Sequence, residues 1–88
     1  MRVLLVEDAA GLGEAVREQI ADDGHAVDWV QRLEQARNSV RTTVYDLILL
    51  DLMLPDGRGL EFLRQQRSAG DVTPVIILTA QDQISDRI

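Results

Sequence analysis

Glu7 and Asp8 close the apolar run Arg2-Val3-Leu4-Leu5-Val6, Asp51 closes Leu47-Ile48-Leu49-Leu50, and Thr79 closes Val75-Ile76-Ile77-Leu78. If each run is a strand of one parallel sheet, these side chains emerge along its carboxyl edge, where ligands bind in open α/β sheets. Three carboxylates held close repel one another, and the arrangement is tolerable when a divalent cation neutralises them or when one stays protonated. A hard cation with oxygen ligands fits, and Mg2+ fits best. It keeps several waters and takes one or two carboxylates together with phosphate oxygens, which suits a site that handles a phosphoryl group. A hydroxyl at Thr79 is placed to hydrogen-bond that group. Each strand-terminal acid taken alone has a plainer reading as a helix cap or a solvated charge. Taken jointly, with Pro55, Gly59 and Thr79 at their spacings, they favour chemistry.

Other kinds of chemistry are thinly supplied. The sequence has no cysteine and a single histidine, His25, so disulfides, thiol nucleophiles and a Ser-His-Asp arrangement are not indicated. Its nine basic residues are all arginine and are scattered, and the net charge is −6, a poor match for nucleic-acid phosphates. Aromatic residues are 3% of the chain, which offers no platform for stacking bases. No charged-then-apolar leader and no apolar run near membrane-spanning length are present, so no membrane role is indicated and a cytoplasmic location is expected. Eighty-eight residues are enough for one core and too few for two.

The elements that must position the acids can be traced from periodicity. The first strand is Arg2-Val6; Leu12, Val16 and Ile20, with Ala15 beside them, then predict a helix whose apolar stripe ends before Gly24. Ala26-Val30 reads as a second strand, and Leu33, Ala36, Val40 and Val44 as the stripe of a second helix on which Trp29 would pack. Asp46-Leu50 is the most apolar strand, expected at the centre of the sheet and covered on both faces. Residues 52–59 read as a loop rich in turn residues, Leu60 to Arg67 as a third helix stopped near Gly70, Val75-Leu78 as a fourth strand, and residues 81–88 as the start of another helix. His25 is expected in an exposed turn, and Asp22, Asp23, Glu14 and Glu18 on solvated faces. Strand-helix alternation with short right-handed crossovers specifies an α/β fold with helices on both faces of a parallel sheet.

An acid pair after the first strand, one Asp after the third, a Pro four residues later and Thr-Ala after the fourth together resemble response-regulator receiver domains of two-component systems, along the whole chain. Asp51-Leu52-Met53-Leu54-Pro55, followed by Gly59 and Leu60-Glu61-Phe62-Leu63-Arg64, resembles in particular the receivers joined to winged-helix DNA-binding domains, which regulate transcription. The resemblance implies a flavodoxin-like, doubly wound parallel sheet in the order two, one, three, four, five. It implies that Asp51 takes a phosphoryl group from a sensor histidine kinase or a small phosphodonor. Asp8 and Asp51 would bind Mg2+ directly with the backbone carbonyl of Met53, and Glu7 would act through water. Thr79 would move toward the aspartyl phosphate, and Ala80 would leave room for donors. Such a protein is a phosphoacceptor switch that catalyses only its own phosphorylation and dephosphorylation, not an enzyme with a separate substrate.

The pattern is departed from in places. Receivers usually supply a lysine from the end of a fifth strand, and this sequence has no lysine. Residues 1–88 are therefore expected to be the N-terminal part of a receiver, through the start of helix four, without the fifth strand and fifth helix. DNA would be met only through an effector domain outside this chain. The edge of the fourth strand would then be open, and a homodimer or an exchanged-helix assembly is expected. Gln66 stands where an apolar residue is usual, so the third helix should be less buried at its end. A receiver-like interaction module that has lost phosphorylation is the main alternative. A dinucleotide fingerprint at Gly11-Leu12-Gly13 fails because Val16 stands at the third glycine and the acids would repel a pyrophosphate. A haloacid-dehalogenase-like phosphatase fails because Met53 stands where its second acid would be.

Overall fold

The computed structural model describes residues 1–78; the expectations for Thr79, Ala80 and a helix over 81–88 lie outside the described residues. In chain order the elements are β1 Arg2–Val6, α1 Ala10–Asp22, β2 Ala26–Val30, α2 Leu33–Thr42, β3 Leu47–Asp51, β4 Met53–Leu54, β5 Gly57–Arg58, α3 Gly59–Ser68 and β6 Val75–Leu78. The expected fourth strand is β6. Four strands form one sheet in the order β2-β1-β3-β6, all pairs parallel, and β4 and β5 form a separate antiparallel hairpin. This is the flavodoxin-like arrangement.

Parallel strands flanked by helices are apolar on both faces, and β1 obeys this: Val3, Leu4, Leu5 and Val6 are all buried. Alternate side chains of β1 and β3, Leu4, Val6, Ile48 and Leu50, meet Leu33 and Ala36 of α2, Tyr45, and Phe62 of α3 in one cluster. Burying a residue of this size contributes about 1.5–3 kcal/mol over leaving it in water. Phe62 is the largest fully buried side chain. Phe62→Ala is expected to cost about 3–5 kcal/mol, read as a lower midpoint in a denaturant titration.

Several expectations are corrected by the opposite face. Trp29 packs on α1, not α2: a Cβ on Gly13 would collide with its ring. The reason is strand alternation, because Val30, one residue on, joins the α2 cluster and Trp29 must face the other way. The α1 stripe is consequently Gly13, Val16 and Ile20, and Leu12 is 51% exposed. On β3, Ile48 and Leu50 are buried but Leu47 and Leu49 are only half-buried, so among the described residues one face of this strand is fully covered.

Val44 is not on α2. The helix stops at Thr42, Thr43 is extended, and Val44 is 89% exposed. Three β-branched residues in succession, Thr42-Thr43-Val44, favour extended backbone, and Tyr45 takes the buried place instead. His25 is half-buried, its Nδ1 accepting from the Met1 ammonium at 2.9 Å. The expected loop over 52–59 contains the β4–β5 hairpin, and α3 starts one residue early, at Gly59. Gln66 is half-buried and donates to Asp71 at 2.8 Å, in keeping with a wetter end to α3.

Candidate functional site

The carboxyl ends of β1 and β3 lie side by side because the two strands pair from Val3↔Leu47 to Val6↔Leu50. This register carries Glu7, Asp8 and Asp51 to one place: one carboxylate oxygen of each falls within 4.8 Å of the others. Thr79 lies outside the described residues, one position beyond the end of β6, whose Leu78 pairs with Asp51.

Glu7 is held at three points. Its N–H donates to the Val30 carbonyl at 3.0 Å, extending the β1–β2 ladder, and its own carbonyl accepts the Trp29 indole N–H at 2.9 Å. Its side chain is 3% exposed, with Oε2 accepting the Ala9 N–H at 3.0 Å. Burial pushes its carboxyl above the ordinary 4.5; the Ala9 bond opposes this, and the neighbouring Asp51 and Asp8 push it further up. Asp8 is exposed, and Asp51 is half-buried with Oδ1 accepting the Met53 N–H at 3.3 Å. Met53 thus stands beside the cluster through its backbone, and its side chain is exposed.

The loop after Asp51 is tight. Gly59 donates to the Leu52 carbonyl at 2.8 Å, and a Cβ there would collide with the Asp51 carbonyl oxygen, so α3 can begin this close to β3 only on a glycine. One residue that periodicity does not reveal is Asp56, at the hairpin turn. Its Oδ1 accepts the Leu33 N–H at 2.8 Å and its Oδ2 the Glu34 N–H at 3.0 Å, and these bonds hold its carboxyl below the ordinary 3.8. The available signal was a gap: Arg32, at the start of α2, is a poor capping residue.

The donor set fits a hard divalent cation. Among the described residues no arginine forms an ion pair with the three acids; the ion pairs there are Arg2–Asp28, Arg17–Glu14 and Arg64–Glu61. Opposite ligands of an octahedral Mg2+ stand about 4.2 Å apart. A spread of up to 4.8 Å therefore suits two acids bound directly and a third through water.

A family model for the response regulator receiver domain matches residues 3–88. The chain is similar, at 42% identity over all 88 residues, to the response regulator protein PmrA of Pseudomonas aeruginosa and to the transcriptional regulatory protein DltR of Streptococcus agalactiae, covering 40% and 39% of their lengths. The structure matches that of the Thermotoga maritima response regulator TrrA, solved in complex with Mg2+ and BeF, with a TM-score of 0.84 and 30% identity over 90% of this chain and 69% of that one. The chain belongs to the response-regulator receiver family. It spans about two-fifths of the length of the curated relatives it matches. Receiver domains are the phosphoacceptor switches of two-component systems, with transcription regulation the output of relatives such as DltR. No helix among the described residues is long and apolar enough to cross a membrane.

Proposed function

We propose that residues 1–88 act as one cytoplasmic receiver unit in which Asp51 accepts a phosphoryl group from a sensor histidine kinase and thereby switches a DNA-binding output carried outside this chain. The observation that carries the reading is the convergence of Glu7, Asp8 and Asp51 from β1 and β3 within 4.8 Å, with no cationic partner among the described residues. An Asp51 carboxylate oxygen attacks phosphorus, the bond from phosphorus to the kinase imidazole breaks, the imidazole takes a proton, and an acyl phosphate is left on Asp51. Asp8, Asp51 and the Met53 carbonyl would hold Mg2+, with Glu7 reaching it through water; when bound, the cation supplies the countercharge that in-line transfer between anions needs. The Met53 N–H on Asp51 Oδ1 orients the nucleophile, and the buried Glu7 keeps the end of β1 fixed beneath it. Thr79 would offer its hydroxyl to the aspartyl phosphate, with small Ala80 leaving the approach open. The added charge at the sheet edge biases the surrounding loops.

The test is labelling with a small phosphodonor and MgCl2. A base-labile, acid-stable label that disappears in Asp51→Asn is expected, acquired or retained poorly because the sequence has no lysine to pair with the phosphoryl group. Label surviving that substitution would remove Asp51 from its role, and no label on the wild-type chain would turn the reading to a receiver-like interaction module. Two copies are proposed to pair through β6, an edge of the sheet among the described residues on which Ile76 is 52% exposed. Sedimentation at micromolar concentration checks this, with a monomer as the opposing result.

A further inference from the structure

The first turn of α2 is capped from elsewhere. Arg32 stands at the capping position with extended backbone, φ −137° and ψ 153°, and makes no side-chain bond to the helix. The leading N–H groups of a helix have no partner within it, and here Leu33 and Glu34 give theirs to the two carboxylate oxygens of Asp56. Bonds from N–H groups to an ionised carboxylate are stronger than neutral ones, and this carboxylate also sits at the positive end of the helix macrodipole.

Asp56 is the tip of the hairpin whose near end is the site. That hairpin leaves Asp51, runs through Met53, whose N–H is on Asp51 Oδ1, and is closed at its base by Gly59 donating to Leu52. Its turn also rests on α2: a Cβ on Gly57 would lie 3.0 Å from Leu33 Cδ1. The turn is short, with Pro55 locking its own φ, so a displacement of the tip is passed to Met53 instead of being absorbed between them.

We propose that Asp56 is a positioning residue for the phosphoacceptor site: by clamping the hairpin tip to the start of α2 it sets the direction of the Met53 carbonyl and of the Asp51 carboxylate. This rests on the roles given above to Asp51 and Met53. A cap that served α2 alone could sit on α2 itself. Placed on the loop of the nucleophile, it makes the geometry of the site depend on where α2 stands.

The experiment compares wild type, Asp56→Ala and the double variant Asp56→Ala with Arg32→Ser, by NMR titration with MgCl2 and by amide hydrogen exchange. Serine is a strong capping residue, so Arg32→Ser returns a cap to α2 without returning the clamp, and the pair of changes leaves the net charge unaltered. Asp56→Ala is expected to lower the melting temperature and to weaken Mg2+ binding about tenfold, as loss of an outer support of a metal site does. The double variant is expected to regain the melting temperature and the protection of the first turn of α2. Its Mg2+ binding should stay about tenfold weak, as a lost positioning contact predicts, and its Met53 and Gly59 amides should exchange faster than in wild type. Recovery of Mg2+ affinity and of Met53 and Gly59 protection in the double variant would make Asp56 a cap and nothing more, and overturn the proposal. A wild-type protein whose Asp8, Asp51 and Met53 signals ignore Mg2+ would overturn the site reading instead, and exchange at Met53 and Gly59 would then decide the clamp by itself. Asp56→Asn, which keeps one acceptor oxygen, should fall between the two and serves if the alanine variant does not fold.

Discussion

Around Arg2 and Tyr45, toward the amino end of the sheet, acids are matched. Asp28 takes the Arg2 guanidinium at 3.1 Å and the Tyr45 hydroxyl at 2.6 Å, and Asp46 takes the Arg2 backbone N–H at 2.7 Å. At the carboxyl end, Glu7, Asp8 and Asp51 converge with no cation among the described residues, and Glu7 is nearly sealed from water. The same residue types are thus treated in opposite ways within one small sheet. Matched carboxylates have their hydrogen-bonding capacity met by neighbours, while unmatched ones lower stability and so mark the carboxyl end as the candidate site.

The strongest way to break this comparison is to crowd the carboxyl end. Gly59→Ala puts a Cβ into the Asp51 carbonyl, and overpacking of this kind costs about 1–3 kcal/mol. The melting temperature should fall and the Mg2+ response should go with it. Gly11→Ala, in α1 with open space around it, should instead raise the melting temperature, since Ala is favoured over Gly inside a helix by about 0.5–1 kcal/mol. Equal melting curves for the two variants would mean that the approach of α3 to β3 is loose.

A pair of substitutions sharpens the contrast at smaller scale. Tyr45→Phe removes a donor to Asp28 and should cost about 1 kcal/mol with phosphoryl labelling unchanged. Asp8→Asn relieves repulsion and should leave the melting temperature level or higher while weakening Mg2+ binding. If Asp8→Asn destabilises the protein as Tyr45→Phe does, the carboxyl end is structural after all.

The smallest effect is in the pH profile. Glu7 has a raised pKa in the folded protein, so its contribution is fully present below the ordinary 4.5 and is lost as pH rises through the raised value. Without Mg2+, stability should therefore climb as pH is lowered from neutrality toward 4.5. Asp56 and Asp71 have lowered values, held by backbone N–H bonds at Leu33 and by Thr73 respectively. Their contribution is present above 3.8 and is lost as pH falls through those lowered values. Melting temperatures across this range check the profile, and Glu7→Gln should flatten its upper limb alone.

The strands, the helices and the acids of the site were legible because each is written locally, as an apolar run, a recurring spacing or a charge at the end of a run. That β1 lies beside β3 was implied by the resemblance to receiver domains, since the α/β pattern alone leaves the strand order open, and the register itself came from the structure. What escaped was long-range and side-specific. Which face of β2 Trp29 occupies depends on Gly13, and the missing cap of α2 is supplied 23 residues later in the chain by Asp56. Neither partner leaves a mark in the periodicity of its own segment. Val44 was misplaced for a related reason: the spacing allowed another helical position, but burial of Tyr45 and three β-branched residues ended the helix first.

Trp29 also gives the molecule an optical handle. It is the only tryptophan in the sequence, and its indole N–H is bonded to the carbonyl of Glu7, one residue before Asp8. Indole emission shifts with the polarity and hydrogen bonding around the ring, so the intrinsic fluorescence of the unlabelled protein reports on the end of β1. The only tyrosine, Tyr45, stands just before β3, toward the amino end of the sheet, and its hydroxyl donates to Asp28 in the middle of β2. Trp29 therefore reports on the end of β1 beside the acids, and Tyr45 on the approach to β3.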